Sequence, residues 1–201
     1  ENRSFSGYWA IMNRNYVSLS ENEETDFLID YFTINGLNNK KVTNYSIQNF
    51  DISNNALNTP LKINSTIITT DLIEEKNGLV YLKIGKVIGL QSNLFEDSKR
   101  VNPIEINFTN SYNYKIEVEI PKGYRVLDFS ELNRFKEYVS VNGNSTAKFF
   151  STANIEGNKI TVSIEEFYKE LRYSKNRYIE FRQVINAAAK FYESKIILEK
   201  I

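Results

Sequence analysis

The groups in this chain that could move protons or hold charge are carboxylates, amines, guanidines and phenols, because its 201 residues include no Cys and no His. Thiol nucleophiles, imidazole acid–base catalysis and Cys/His zinc sites are therefore excluded. A carboxylate pair remains possible in principle: glycoside hydrolysis needs one acid of raised pKa and one ionised partner about 5–9.5 Å apart. Glu165 with Glu166, and Glu74 with Glu75, are adjacent pairs. Neighbours on a strand point to opposite faces, so solvated charge is the simpler reading of both. Glu23, Glu24 and Asp26 fall in the first turns of an expected helix, where negative charge is favourable against the positive dipole end. Asp51 with Asn54 and Asn55 is the nearest approach to an oxygen-ligand metal loop, and a turn held by Asx side-chain hydrogen bonds explains those residues more simply. The eight Gly are scattered at turns and form no phosphate-cradling loop. No catalytic, metal or cofactor-binding residue is assigned, and no cofactor is expected. Aromatic residues, 13% of the chain, are the other resource, and Tyr8–Trp9 is the most suggestive pair for stacking on a sugar or a partner protein. Read as part of a strand, that pair would send one ring inward and one outward.

The balance of 25 basic against 25 acidic residues argues against a binder of nucleic-acid backbone, which needs clustered Lys and Arg. Gly7 to Met12 is the longest apolar stretch, far short of the roughly 20 residues that cross a bilayer, so no membrane span is expected. Glu1 is neither an initiator Met nor part of a signal peptide, and the chain reads as a piece of something longer. Asn-x-Ser/Thr triplets at Asn2, Asn44, Asn64, Asn107 and Asn144 arise readily in an Asn-heavy chain and carry no argument.

Period-two alternation dominates the first three quarters of the sequence, which predicts a mainly β (α+β) domain of antiparallel, sandwich-like sheets. A first strand includes Gly7 and Arg14. Ser20 and Glu23 form a capping box for a short N-terminal helix at about 20–33, ended by Asn35–Gly36. Strands follow through Thr43, Tyr45, Ile47, then Leu61, Ile63, Ser65, Ile67, then Val80, Leu82, Ile84. Ile104, Ile106, Phe108 and Tyr112 to Ile120 read as a hairpin closed at Thr109 to Ser111. Asn142–Gly143 and Gly157–Asn158 each mark a tight turn, implying three consecutive antiparallel strands. Tyr178, Phe181, Ile185, Ala188 and Tyr192 recur at helical spacing, giving an amphipathic helix at about 175–193 that packs on a sheet through Ala187 to Ala189. Ile196 to Leu198 close as a strand. The whole of 1–201 reads as one β-rich domain with a soft boundary near 51–59.

A set of short signatures occurs in one order: Gly7 with Arg14, Pro60-Leu61-Lys62, Asn93-Leu94-Phe95 with Arg100, Pro103-Ile104-Glu105-Ile106, Pro121-Lys122-Gly123-Tyr124, and the Tyr178 to Phe181 helix leading to Ile196-Ile197-Leu198-Glu199-Lys200. Together they resemble the C-terminal domain of bacterial transglutaminase-like proteins, a domain of unknown function that follows an N-terminal β-domain and a papain-like transglutaminase core. Leu94 stands where that family often has Pro. The resemblance implies a non-catalytic accessory domain of a cell-envelope, periplasmic or secreted protein, whose partner is the transglutaminase-like core of the same parent chain. The alternative is an independent carbohydrate- or protein-binding β-module acting through Tyr8 and Trp9. A carboxylate-dependent hydrolase using Glu165 and Glu166 is a third reading.

Overall fold

A computed structural model describes residues 1–19, 32–55, 58–94 and 100–201. The protein is mostly β, with several antiparallel sheets and a C-terminal helix laid on them, as the alternation predicts. Two compact units divide the chain, Glu1–Asp71 and Leu72–Ile201. The segment 51–59, where alternation breaks, lies inside the first.

In the first unit β1 (Asn2–Phe5), α1 (Gly7–Leu19), β2 (Lys40–Gln48) and β3 (Leu61–Thr69) follow one another. Their sheet is antiparallel in the order β1-β3-β2, with Phe5 opposite Leu61 and Ile47 opposite Ile63. Ala10, Phe32, Leu61 and Ile63 form the core, with Phe5, Val17 and Ile47 against it. The expected first strand through Gly7 and Arg14 is corrected: the strand stops at Phe5, and Gly7 to Leu19 is helical. Positions 10, 13, 14 and 17 of that helix turn inward at spacings of three and four, but two of them are Asn13 and Arg14, while Tyr8, Ile11, Met12 and Tyr16 are exposed. With polar residues inside and apolar ones outside, hydropathy carries no helical period here. The helix expected at about 20–33, with its capping box, falls on residues outside those described, apart from Phe32 and Thr33.

Arg14 explains its own burial. Only 2% exposed, it donates from Nε to the Asn49 carbonyl at 2.8 Å, from one terminal nitrogen to the Asn54 carbonyl at 2.9 Å, and from the other to the Thr59 carbonyl. The planar guanidinium matches three carbonyls of one irregular loop, a geometry that a Lys point charge cannot reproduce. The loop holds an Asx turn, as the sequence suggested, in which Asp51 Oδ1 accepts from Ser53 N at 2.8 Å; separately, Asn49 Nδ2 donates to the Pro60 carbonyl at 2.9 Å. Asn49 takes a φ of +60°, which Asn tolerates better than most residues.

The second unit contains β4 (Ile73–Lys76), β5 (Leu79–Leu82), β6 (Ile104–Glu105), β7 (Asn110–Glu119), β8 (Tyr124–Asp128), β9 (Arg134–Val139), β10 (Ser145–Glu156), β11 (Lys159–Tyr168), β12 (Arg172–Tyr173), α2 (Tyr178–Tyr192) and β13 (Ile196–Lys200). One antiparallel sheet runs β7-β11-β10-β9 and another β4-β5-β13-β8, with β12-β6 as a two-stranded piece. Gly157–Asn158 makes the expected two-residue turn, since Glu156 pairs with Lys159. The Asn142–Gly143 hairpin also forms, but over five residues: Ser140 N donates to the Asn144 carbonyl, and the β9–β10 register shifts between Ser145 and Ala147. The hairpin expected from Ile104 to Ile120 is corrected. Ile104 pairs with Tyr173 and Glu105 with Arg172, whereas β7, which already includes Asn110 and Ser111, pairs with β11. Alternation shows which side chains turn inward, not which strand they meet.

α2 covers the inner face of the four-stranded β7–β9 sheet. Phe191 meets Phe149 with ring centroids 5.8 Å apart, and Phe181 meets Tyr173 at 4.5 Å. The buried stripe includes Val184, Ala187 and Phe191 beside the expected Tyr178, Phe181 and Ala188. Gly85, at the one-turn helix Ile84–Ile88, touches the last turn of α2: an added Cβ would lie 2.0 Å from the Phe191 carbonyl oxygen, a collision with backbone. Ile84, expected to extend the Val80–Leu82 strand, belongs to this turn instead.

Replacing Arg14 leaves three part-buried carbonyls without their donor. Arg14→Ala is expected to destabilise the first unit by about 3 kcal/mol or more, and Arg14→Lys to recover only part of it. Hydrogen exchange at residues 49–54 under native conditions measures this; unchanged protection in Arg14→Ala would contradict the clamp.

Candidate functional site

Tyr8 and Trp9 lie on α1, not on a strand, so consecutive side chains diverge by the helical turn rather than pointing to opposite faces. Tyr8 is 66% exposed and Trp9 half-buried. The ring that shares Tyr8's side of the helix is Tyr16, with Ile11 and Met12 beside it.

The acidic pairs separate as well. Glu74 faces Lys83 at 2.8 Å, which by hydrogen bond and charge lowers its carboxyl below the ordinary range. Glu165, on the outer face of β11, meets Lys148 Nζ of β10 at 2.6 Å. Glu166 differs from the expectation of solvated charge. It faces inward, 6% exposed, opposite Tyr112 on β7 and Phe149 on β10. Its Oε1 accepts the Tyr168 hydroxyl at 2.7 Å. Burial raises the Glu166 carboxyl and outweighs that hydrogen bond; burial first, then the Glu166 charge, raises the phenols of Tyr112 and Tyr168. The cluster lies under α2, since the Tyr168 ring is 5.9 Å from that of Phe181. Two acids on opposite faces of one strand, one ion-paired and one buried beneath a helix, do not flank a common substrate. Glu23, Glu24 and Asp26 lie outside the described residues, and among the described residues no group of three or more acidic side chains could hold a metal ion.

The outer face of the β7-β11-β10-β9 sheet carries what sequence reasoning did not single out. Phe135 and Phe150 are directly opposite on β9 and β10, edge to face with centroids 6.2 Å apart, and are 55% and 39% exposed. In the next row Phe167 is buried beneath two amines, Lys169 Nζ at 4.0 Å and Lys148 Nζ at 5.0 Å from its ring centre. The Lys148–Glu165 ion pair borders the exposed rings. Cross-strand aromatic pairs stabilise a sheet modestly, but two rings open to water also lose free energy that a covering surface would recover. Such a face offers apolar area beside fixed charges. The signal was available: Phe135 and Phe150 follow the alternation on the side opposite to Phe149, so they mark a strand pair that is apolar on both faces.

The fold is that of a β-rich unit with a helix-covered sheet. Residues 78–198, more than half of the chain, match a family described as a domain of unknown function with a solved structure, DUF3858. The chain belongs to that family. No curated protein and no solved structure matches it.

Because folded Glu166 keeps its proton above the pH at which the unfolded chain releases it, stability falls as pH rises from the ordinary carboxylate range through the raised pKa. Glu166→Gln keeps an acceptor for Tyr168 and should flatten this slope, leaving the variant the more stable protein at pH 8 by about 1 kcal/mol or more. Urea midpoints between pH 4 and 9 check it; parallel profiles would contradict a buried, proton-retaining acid.

Proposed function

We propose that this domain is a non-catalytic accessory module of a transglutaminase-like or peptidase-like cell-envelope protein, and that it packs against or assists substrate contact of an upstream catalytic core. The observation that carries the reading is the Phe135–Phe150 pair, open on the outer face of a sheet whose inner face α2 already covers. The composition supports it, since a papain-like reaction has no Cys or His to use within these residues. The divergence of Glu165 from Glu166 supports it by removing the adjacent acids as a hydrolytic pair. The link to transglutaminase-like proteins rests on the ordered signatures from Gly7 to Lys200, and export follows from that same resemblance. In this role Tyr112, Tyr168 and Glu166 seat the helix, and the outer rings meet the partner.

A second reading, a carbohydrate- or protein-binding module, is favoured by one observation: Tyr8, Ile11, Met12 and Tyr16 are exposed together on α1. A glycan-binding screen with Tyr8→Ala and Trp9→Ala separates it from the first.

The isolated chain should show no turnover of glutamine-donor or peptide substrates above background. In the full parent protein, Phe135→Ser with Phe150→Ser should lower kcat/KM at least several-fold, while the isolated chain carrying the same changes stays folded and loses only the modest cross-strand contribution of the ring pair. Turnover by the isolated chain, or a parent indifferent to the double substitution, would contradict the reading.

A further inference from the structure

A second surface of the Leu72–Ile201 unit has a different construction. β8 is the outermost strand of the β4-β5-β13-β8 sheet, and its pairing with β13 is irregular: Asp128 is opposite Ile197 and Val126 opposite Leu198, which leaves Leu127 without a cross-strand partner. A bulge of this kind re-aims the side chain of the extra residue. Leu127 is 47% exposed and lines an open groove of about 350 Å³ together with Val126, Phe129, Asn133 and, from β10, Ile155, itself 43% exposed. Asp128 stands at the same groove. Its Oδ1 accepts from Ser130 N at 2.8 Å, and this hydrogen bond holds the carboxyl below the ordinary range, so it is charged at neutral pH. Unlike Glu165, Glu199 and Glu74, which face Lys148, Arg125 and Lys83, it meets no Lys or Arg among the described residues. An aliphatic floor, an uncompensated carboxylate and the outer side of an edge strand thus converge.

We propose that this groove receives a short extended segment of another protein, which runs beside β8, lays an aliphatic side chain against Leu127 and Ile155, and sets a Lys or Arg against Asp128. Main-chain pairing to the free side of the strand supplies affinity without sequence preference, and the groove and the carboxylate supply the preference. Charge decides between occupants. An acidic segment would be repelled by Asp128, and a second copy of this chain would bring its own Asp128 and an Arg125 already paired to Glu199 at 2.5 Å. The site is separate from the Phe135–Phe150 face and does not depend on that face having a partner.

The test titrates the complete 201-residue chain, isotopically labelled, with the capped peptide acetyl-Lys-Val-Thr-Val-Lys-amide and with its counterpart carrying Glu in place of Lys. Saturable amide shifts confined to 126–130, 133 and 155, weakened roughly tenfold or more in Asp128→Asn, in Leu127→Ser and with the Glu peptide, are the expected result. Both variants change exposed side chains, and Asp128→Asn alone keeps the charge arm decisive if Leu127→Ser fails to fold. No saturable shift at millimolar peptide, equal binding by Asp128→Asn or by the Glu peptide, or concentration-dependent shifts at the groove without peptide, which would mark a second copy as occupant, would each overturn the proposal.

Discussion

The second unit is organised by one sheet that must satisfy two apolar faces with a single helix. The inner face of β7-β11-β10-β9 holds Ile116, Val118, Phe149, Val162 and Ile164, and α2 removes it from water through Phe181, Val184, Ala188 and Phe191. Each Å² of apolar surface so buried contributes about 25 cal/mol to the stability of the unit. Close approach is what the Ala187–Ala189 run and Gly85 provide. Ala adds little bulk between helix and sheet, and at Gly85 even one methyl group would strike the helix backbone. Among the described residues of this unit no second helix covers the outer face, where Phe135 and Phe150 are exposed.

Polar groups placed inside show where the fold departs from pure hydrophobic logic. Arg14 and Glu166 are both buried, neither has an ion pair among the described residues, and each is accommodated differently. Arg14 sets its fork against the carbonyls of Asn49, Asn54 and Thr59, so its burial is met by three hydrogen bonds. Glu166 has only one hydroxyl, and the cheaper solution is to retain the proton. Stability gained from one is nearly pH-independent, while the other ties helix seating to pH.

Much of the architecture was legible because alternation and turn chemistry are local. The β2, β3, β10 and β11 strands, the Gly157–Asn158 turn, α2 and β13 all follow from side-chain period and from residues that accept positive φ. What failed was non-local or inverted. The α1 helix hides because Asn13 and Arg14 occupy its inner positions, and the place of Arg14 is explained only by carbonyls 35 to 45 residues further along the chain. Ile104 and Glu105 pair with Tyr173 and Arg172 across more than sixty residues, which no local pattern encodes. Glu166 looked solvated because its neighbour Glu165 is; only the parity of β11 distinguishes them. The Tyr8–Trp9 pair drew notice by composition, whereas the exposed Phe135–Phe150 pair needed the strand register to appear at all.

The proposed accessory role requires that the outer sheet face lose solvent when the proposed parent protein is present. Hydrogen exchange across 134–139 and 148–152, compared between the isolated chain and the full-length parent, measures that loss directly. Slower exchange in the parent, confined to these strands and abolished by Phe135→Ser with Phe150→Ser, is the predicted result. Identical exchange in the two proteins would contradict the account.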